Sequence, residues 1–367
     1  MTSRNNTETG LLVRQAEDLT SAWATRVLAR LHRDDRLVVT DIGVEVIGTG
    51  QMGRVLRVTL AYRPGISADA PTSIIVKIAS PFETSRATGR DSGIYEAEVV
   101  FYRDLASGLS VSVPHCHAAV YENETGHFTL VFDDLSETTK VGDVLAGGSV
   151  EQARLALKEL ARMQASCWNA PTLRANPTLA DTSRLKALFD GYVTAAPSFI
   201  ADLGEEMTAA KIALIEKAMP AAPRWLAETP GPFVVQHGDY RLDNMLFGIS
   251  VEAPPLTIVD WQTVRLGAPL VDAAYYLSGC LTVQERRANE QALLLEYYDT
   301  LRELGIRDYA WDRLWQDYRR ASLYGLFMGV GAYSLVTKSE RGKAIIGRSV
   351  SKRADHVLDL DGADFLS

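Results

Sequence analysis

Cysteine is scarce in this chain. Its 367 residues include three, Cys116, Cys167 and Cys280, odd in number, far apart and without C-x-x-C spacing. That argues against a disulfide framework or a zinc knuckle and fits a reducing compartment. Long apolar runs are missing as well. A long uncharged stretch, Ala321 to Val336, is shorter and richer in glycine than the roughly 20 apolar residues of a membrane span. The first residues, MTSRNNTETG, carry no apolar h-region of a secretory signal. The expectation is a cytoplasmic protein with no membrane partner, in which Gly325 and Gly329 mark close packing of a buried helix rather than a membrane helix contact. There is no excess of positive charge. Thirty-eight basic against 46 acidic side chains leave a net charge of −8, which argues against a sequence-independent grip on nucleic acid. Internal repeats, low-complexity tracts and a long linker are absent from the pattern, and no obligate protein partner is evident.

What the chain does have is apolar material and a change of texture. Hydrophobic residues make up 47%, enough for a large core, and the length exceeds that at which a single core stops growing, so about two domains are expected. Between residues 13 and 32, Leu19, Trp23, Val27 and Leu31 recur every four positions, the stripe of an amphipathic helix. "RLVVTDIGVEVIGTGQMGRVLRVTLAY" then reads as strand, glycine turn, strand, and "SIIVKIA" and "HFTLVFDDL" as further strands. Between them, "GIYEAEVVFYRDLA" places Ile94, Glu98, Phe101, Tyr102 and Leu105 on one helical face. From Ser149 onward helices dominate, opening on a capping-box spacing of Ser149 and Gln152, with proline-bearing breaks near Pro171, Pro220, Pro230 and Pro254. The pattern predicts an α+β fold, a small mostly β part followed by a larger mostly helical one, with the crossover near Phe132 to Leu135.

Several polar residues interrupt this scaffold where chemistry would need them. Gly48, Gly50 and Gly53 form G-x-G-x-x-G, whose backbone N–H groups could approach phosphate oxygens. β-branched residues follow the run, so it reads as a strand-loop-strand flap, or simply a hairpin turn, rather than a dinucleotide fingerprint. Lys77 lies inside the apolar strand Ile74 to Ile78 and needs a carboxylate or a phosphate there. Glu98, an acid on a buried helical stripe, can supply the first. In "VVQHGDYRLDNMLF", His237-Gly-Asp239 with Asn244 five residues on fits a catalytic loop in which Asp239 meets a substrate hydroxyl and Asn244 turns to a metal. His237 reads as a brace for that loop. Sixteen residues after Asn244, "LTIVDWQ" delivers Asp260 at a strand end, a second oxygen donor suited to Mg²⁺.

In this order the glycine run, Lys77, Glu98, "VFDDLS", "HGDYRLDN" and "IVDWQ" resemble the protein-kinase-like fold. The last two motifs are similar to the aminoglycoside phosphotransferase and choline kinase superfamily, over about residues 45 to 280. "HGDYRLDNMLF" with "VDWQTVRLGAPLVDAAYYL" resembles its ecdysteroid kinase-like branch and the phosphotransferase domains attached to some acyl-CoA dehydrogenases. The resemblance implies ATP and Mg²⁺ as cofactors, Asp239 as catalytic base, Asn244 and Asp260 as metal ligands, Lys77 on the α- and β-phosphates and Glu98 holding Lys77. Asp272 would brace the loop, and backbone groups around Phe132, Asp133 and Asp134 would meet the adenine edge. The implied domains are a nucleotide-binding lobe over 1–131 with its leading helix, a hinge at 132–136 and a helical lobe over 137–367. The chain departs from protein kinases at Gly238, where an arginine is usual, at Trp261-Gln262 in place of Phe-Gly, and in the 11 residues between Asp260 and Asp272, too few for a peptide-docking segment. Gln164 stands where related families often have histidine.

The function expected is transfer of the γ-phosphoryl group of ATP to a hydroxyl of a small molecule. A sugar, an amino alcohol, a sterol-like alcohol and a hydroxyacyl-CoA all stay open as acceptors. The alternatives are a catalytically silent nucleotide-binding module and a nicotinamide-dependent oxidoreductase built on the glycine run. His115-Cys116-His117 is read as structural, the aromatic series from Trp311 to Phe327 as core packing, and Arg341, Lys343, Arg348, Lys352 and Arg353 as a solvated charged face.

Overall fold

The computed structural model describes residues 9–32, 37–48, 52–64, 70–181, 183–333 and 340–366. The chain forms two compact units that are not contiguous in sequence: residues 1–108, 112–140 and 248–263 make the first, and residues 109–111, 141–247 and 264–367 the second.

The first unit is built on a five-stranded antiparallel sheet of β1 (Val39–Ile47), β2 (Gly53–Tyr62), β3 (Ser73–Ala79), β4 (Cys116–Glu122) and β5 (His127–Asp133), in spatial order β1-β2-β3-β5-β4. Period-two alternation sorts β3 onto two faces. Ile74, Val76 and Ile78 are fully enclosed and join Leu56, Val58, Val120 and Val131 in a core with Trp23, Val27 and Leu28. Lys77 therefore points to the opposite face, with its strand neighbours Val55 and Leu130 in register on either side.

The leading helix is shorter than its apolar stripe suggests, running from Ser21 to His32. Thr20 stops it from beginning earlier, because its Oγ1 accepts from the Trp23 amide (3.1 Å) as an N-cap. Leu19, although buried, sits in extended backbone before the cap. The second predicted helix spans Ile94–Val100 and widens into a π-turn over Phe101–Leu105, a local irregularity often found beside functional residues.

In the second unit, helix Val150–Ser166 opens on the expected capping box: Ser149 Oγ accepts from the Gln152 amide (3.1 Å) and Gln152 Oε1 from the Ser149 amide (2.9 Å). The predicted break at Pro220 does not occur. Helix Ala209–Ala227 runs through both Pro220 and Pro223, although each interior proline costs about 3 kcal/mol or more. Burial of Leu214, Ile215, Ala218, Met219, Ala222 and Trp225 along one side holds it together. The innermost element is helix Trp311–Ala332, packed against helices Ser183–Leu203, Leu270–Cys280 and Glu340–Asp359. Its glycines allow that density. A Cβ on Gly329 would lie 3.0 Å from Val350 Cγ2, and one on Gly331 would lie 2.2 Å from the Tyr192 ring. No helix among the described residues is long and apolar enough to cross a membrane.

Arg353, expected on a solvated face, is instead buried, its guanidinium 4.7 Å above the Tyr275 ring. The hydrocarbon stem and the flat cation pack as an apolar residue would. Lys352 Nζ donates to the Gly279 carbonyl (3.1 Å). On the same helix, His356 is fully enclosed, 2.9 Å from Tyr318 Oη and 3.5 Å from Glu290 Oε2.

Gly331→Ala should lower stability by about 1–3 kcal/mol through overpacking against Tyr192, despite the better helix propensity of alanine, as read by chemical denaturation; an equal or higher midpoint would show that the interface has slack. Burial pushes the His356 imidazole below its ordinary value, and Glu290 offsets this only in part. A folded value below the unfolded one of about 6.5 contributes stability above that pH, which is lost as pH falls through the folded value. Thermal melting of the wild type should decline over that acid range more steeply than that of His356→Gln, and parallel profiles would contradict it.

Candidate active site

Lys77 is the centre of a buried charge cluster in the first unit. Its Nζ donates to Glu98 Oε1 and to Asp260 Oδ1, each at 2.8 Å. The Lys77 and Glu98 side chains are 12% and 1% exposed, that of Asp260 29%, so water contributes little to the first two and the carboxylates must carry the compensation. Burial alone would lower the Lys77 ammonium, but Asp260 and Glu98 outweigh it and hold the group above its ordinary value. Burial pushes the Glu98 carboxyl up to about 7, against the pull of Lys77 and with a further push from Asp260. Asp260 sits in the left-handed region at φ +66, a conformation that costs a non-glycine residue of order 1 kcal/mol or more. The next residue, Trp261, is fully buried, stacks on Phe101 in the π-turn (centroids 3.8 Å, 8°) and donates from Nε1 to the Ile258 carbonyl (3.2 Å). The tryptophan that departs from the protein-kinase pattern thus anchors the backbone that aims Asp260.

The glycine run is only partly described. Gly48 adopts φ +78, Gly50 lies outside the described residues, and Gly53 opens β2, where a Cβ would come 2.9 Å from the Ile78 carbonyl oxygen. A strand follows Gly53, which leaves no helix for a dinucleotide fingerprint. Phe132 packs edge-on against Tyr102 (4.6 Å), Asp133 Oδ1 lies 2.6 Å from His117 Nε2, and Asp134 Oδ2 accepts from Arg57 Nε and Ser73 Oγ, each at 2.8 Å. His117 is thus engaged with a strand carboxylate, and among the described residues no group of three His, Cys, Asp or Glu side chains could hold a metal ion.

In the second unit, the buried strand Val234–Gln236 pairs with Arg265–Gly267 and releases the chain into His237. Asp272, fully enclosed, accepts from the amides of His237 (2.7 Å) and Gly238 (2.9 Å). Burial raises its carboxyl, while His237, Arg265 and those two amides pull it back. The Asp239 amide donates to His237 Nδ1 (3.2 Å), so this ring nitrogen is an acceptor and His237 acts as a loop brace. Asp239 itself is held from several sides. Tyr275 Oη donates to Oδ1 (3.1 Å), Asn244 Nδ2 donates to its carbonyl (2.9 Å) and to Oδ2 (3.2 Å), and Arg241 Nε is 3.2 Å from Oδ2. The amide nitrogen of Asn244 is thus committed to Asp239. The carboxylate of Asp260 in the first unit and the amide oxygen of Asn244 in the second are each a hard oxygen donor of the kind that fits Mg²⁺. Gln164 is fully buried, donates from Nε2 to the Pro269 carbonyl (2.9 Å) and accepts from Tyr297 Oη. It therefore steadies the start of the helix that carries Asp272.

The pattern of the ecdysteroid kinase-like family matches residues 48–307, well over half of the chain. The protein belongs to that family. A relative from Gallus gallus, acyl-CoA dehydrogenase family member 11, is 39% identical over 62 residues, 16% of this chain and 8% of that protein, so the chain spans a small part of this relative. Among solved structures, choline kinase from Cryptosporidium parvum Iowa II is similar at 12% identity with TM-score 0.53, covering 88% of this chain and 89% of that one. The GDP complex of wild-type aminoglycoside 2'-phosphotransferase-IIIa is similar at 14% identity with TM-score 0.51, covering 92% and 99%. At such identities the likeness is one of fold, and the fold of this family member is protein-kinase-like.

Three contacts were not foreseen from the motifs: Tyr275 and Arg241 on Asp239, and Tyr324 Oη donating to the Gly238 carbonyl (2.7 Å). Tyr275 had a signal, since it follows Asp272 by three positions on a helix and shares its face. Lys77→Met leaves Glu98 buried beside Asp260 without a cation and should cost about 3–5 kcal/mol. Adding Glu98→Gln should recover part of that loss in chemical denaturation. A single variant as stable as the wild type would remove the ion pair from the stability of this unit.

Proposed function

We propose that this protein is an ATP- and Mg²⁺-dependent kinase that transfers the γ-phosphoryl group to a hydroxyl of a small molecule. The observation that carries the reading is the setting of Asp239. Its carboxylate stands at the end of a buried strand, on a loop braced by Asp272, and is oriented by Tyr275, Asn244 and Arg241. A carboxylate so held is suited to orient an acceptor hydroxyl and to take its proton at Oδ as the new O–P bond forms and the bond to the leaving diphosphate breaks. In the first unit Lys77 would turn its ammonium to the α- and β-phosphates, with Glu98 keeping it in place, under backbone groups of the glycine flap. Adenine would meet backbone groups at 132–134. Asn244 and Asp260 are the residues that would hold Mg²⁺, which when bound neutralises charge on the β- and γ-phosphate oxygens. The short interval between Asp260 and Asp272 supports a small acceptor over a peptide.

Asp239→Ala should reduce transfer by about 100-fold or more while leaving affinity for MgATP largely as it was, measured as ADP release and by calorimetric titration. Undiminished turnover would sink the base assignment, and MgATP binding without transfer to any hydroxylated metabolite in the wild type would sink the kinase reading in favour of a nucleotide-binding module.

A further inference from the structure

The second unit contains a cavity of about 260 Å³ whose walls include Leu226, Trp225, Phe233, Tyr324 and Arg265. This aromatic and aliphatic lining with a few polar groups is the usual make-up of a small-molecule site. The cavity wall joins the catalytic loop. Tyr324 donates to the carbonyl of Gly238, the residue before Asp239, and packs edge-on (5.6 Å) against Tyr275, which bonds Asp239.

The charge of the lining decides what it can accept. Among the described residues that line the cavity there is no aspartate or glutamate, and there are two cations, Lys186 and Arg265. Lys186 lies on an exposed helical surface paired with Asp190 at 2.8 Å, whereas Arg265 is set into the wall above Tyr324 (5.1 Å to the ring centre). An ammonium ligand is held by carboxylates or by open aromatic faces. Here each of the three lining rings already carries a guanidinium: Arg174 over Phe233 at 4.6 Å, Arg265 over Tyr324 at 5.1 Å and Arg320 over Trp225 at 4.3 Å. One face of each ring is thus taken by a cation, that of Phe233 by Arg174 from the exposed surface, and Arg265 in the wall adds repulsion toward an ammonium. The carboxylates of the adjoining loop and helix are already engaged: Asp272 is enclosed and bonded to the amides of His237 and Gly238, and Asp239 is held by Tyr275, Asn244 and Arg241.

We infer that this cavity is the acceptor pocket, that it selects an apolar alcohol bearing a carboxylate received by Arg265, and that it rejects alcohols bearing an ammonium group. This rests on the kinase reading above and narrows its acceptor class. Sharing a fold with a choline kinase, whose named substrate is a quaternary ammonium alcohol, does not carry that preference over, because acceptor choice belongs to the site and not to the fold.

The test uses the full chain and three matched probes: ω-hydroxyoctanoate, its methyl ester and ω-aminooctanol. Binding is measured first by calorimetry without nucleotide, then phosphoryl addition by mass spectrometry with MgATP. The carboxylate should bind at least about tenfold more tightly than the amine, the scale of one charge-assisted hydrogen bond. Arg265→Gln should erase that preference while leaving the methyl ester unaffected, and Arg265→Lys should retain part of it, with circular dichroism checking that both variants fold. Amine binding equal to or tighter than that of the carboxylate, no measurable carboxylate binding, or a preference that survives in Arg265→Gln would overturn the inference. Arg265-dependent carboxylate binding with no phosphorylation of any probe would leave the pocket chemistry standing and count against the kinase reading.

Discussion

A buried ammonium is costly unless carboxylates stand within hydrogen-bonding reach, and Lys77 imposes that condition on the first unit. Its demand reaches three separate pieces of chain. It sets the register of β3, since a slip of one residue would drive the ammonium into the layer of Ile74, Val76 and Ile78 and push those side chains out. It requires that the helix from Ile94 present Glu98 inward. It also rewards the left-handed backbone at Asp260, whose strain is offset by the bond to Lys77 and by the stacking of Trp261 on Phe101.

The second unit answers the same problem with an anion. Among the described residues Asp272 has no cationic side chain at hydrogen-bonding distance and is held by two backbone amides, so the carboxylate fixes the path of the chain through His237 and Gly238. Asp239 inherits its position from that fixed path. Around it, Tyr275 and Tyr324 work through their hydroxyls, while Arg353 and Arg265 lie on their ring faces. Basic residues here function as large flat packing units with a charge attached.

Much of this was legible in the order of residues. A lysine within an apolar strand, an acid on an apolar helical stripe, a capping box at Ser149 and the spacing of Asp239, Asn244 and Asp260 are short-range patterns, and short-range patterns report backbone periodicity and donor chemistry directly. The misreadings have a common origin. Thr20 shortened the leading helix through a cap that the four-residue stripe overrode on paper. Pro220 and Pro223 sit within a helix because buried contacts along its length outweigh two lost hydrogen bonds. Arg353 is interior because an aromatic ring from a distant helix covers it.

By itself, then, the sequence determined the change from strands to helices, that the chain carries a kinase-type set of polar residues, and that Lys77 and Glu98 need partners. Only the tertiary structure decided which partners they and the Asp239 loop obtained: Asp260 on Lys77, Tyr275 and Arg241 on Asp239, and guanidinium groups on the rings that line the cavity. The reason is physical. Periodicity and capping are set by neighbours a few residues apart, whereas the compensation of a buried charge is settled by whichever groups long-range packing brings within about 3 Å, and no local pattern encodes that distance.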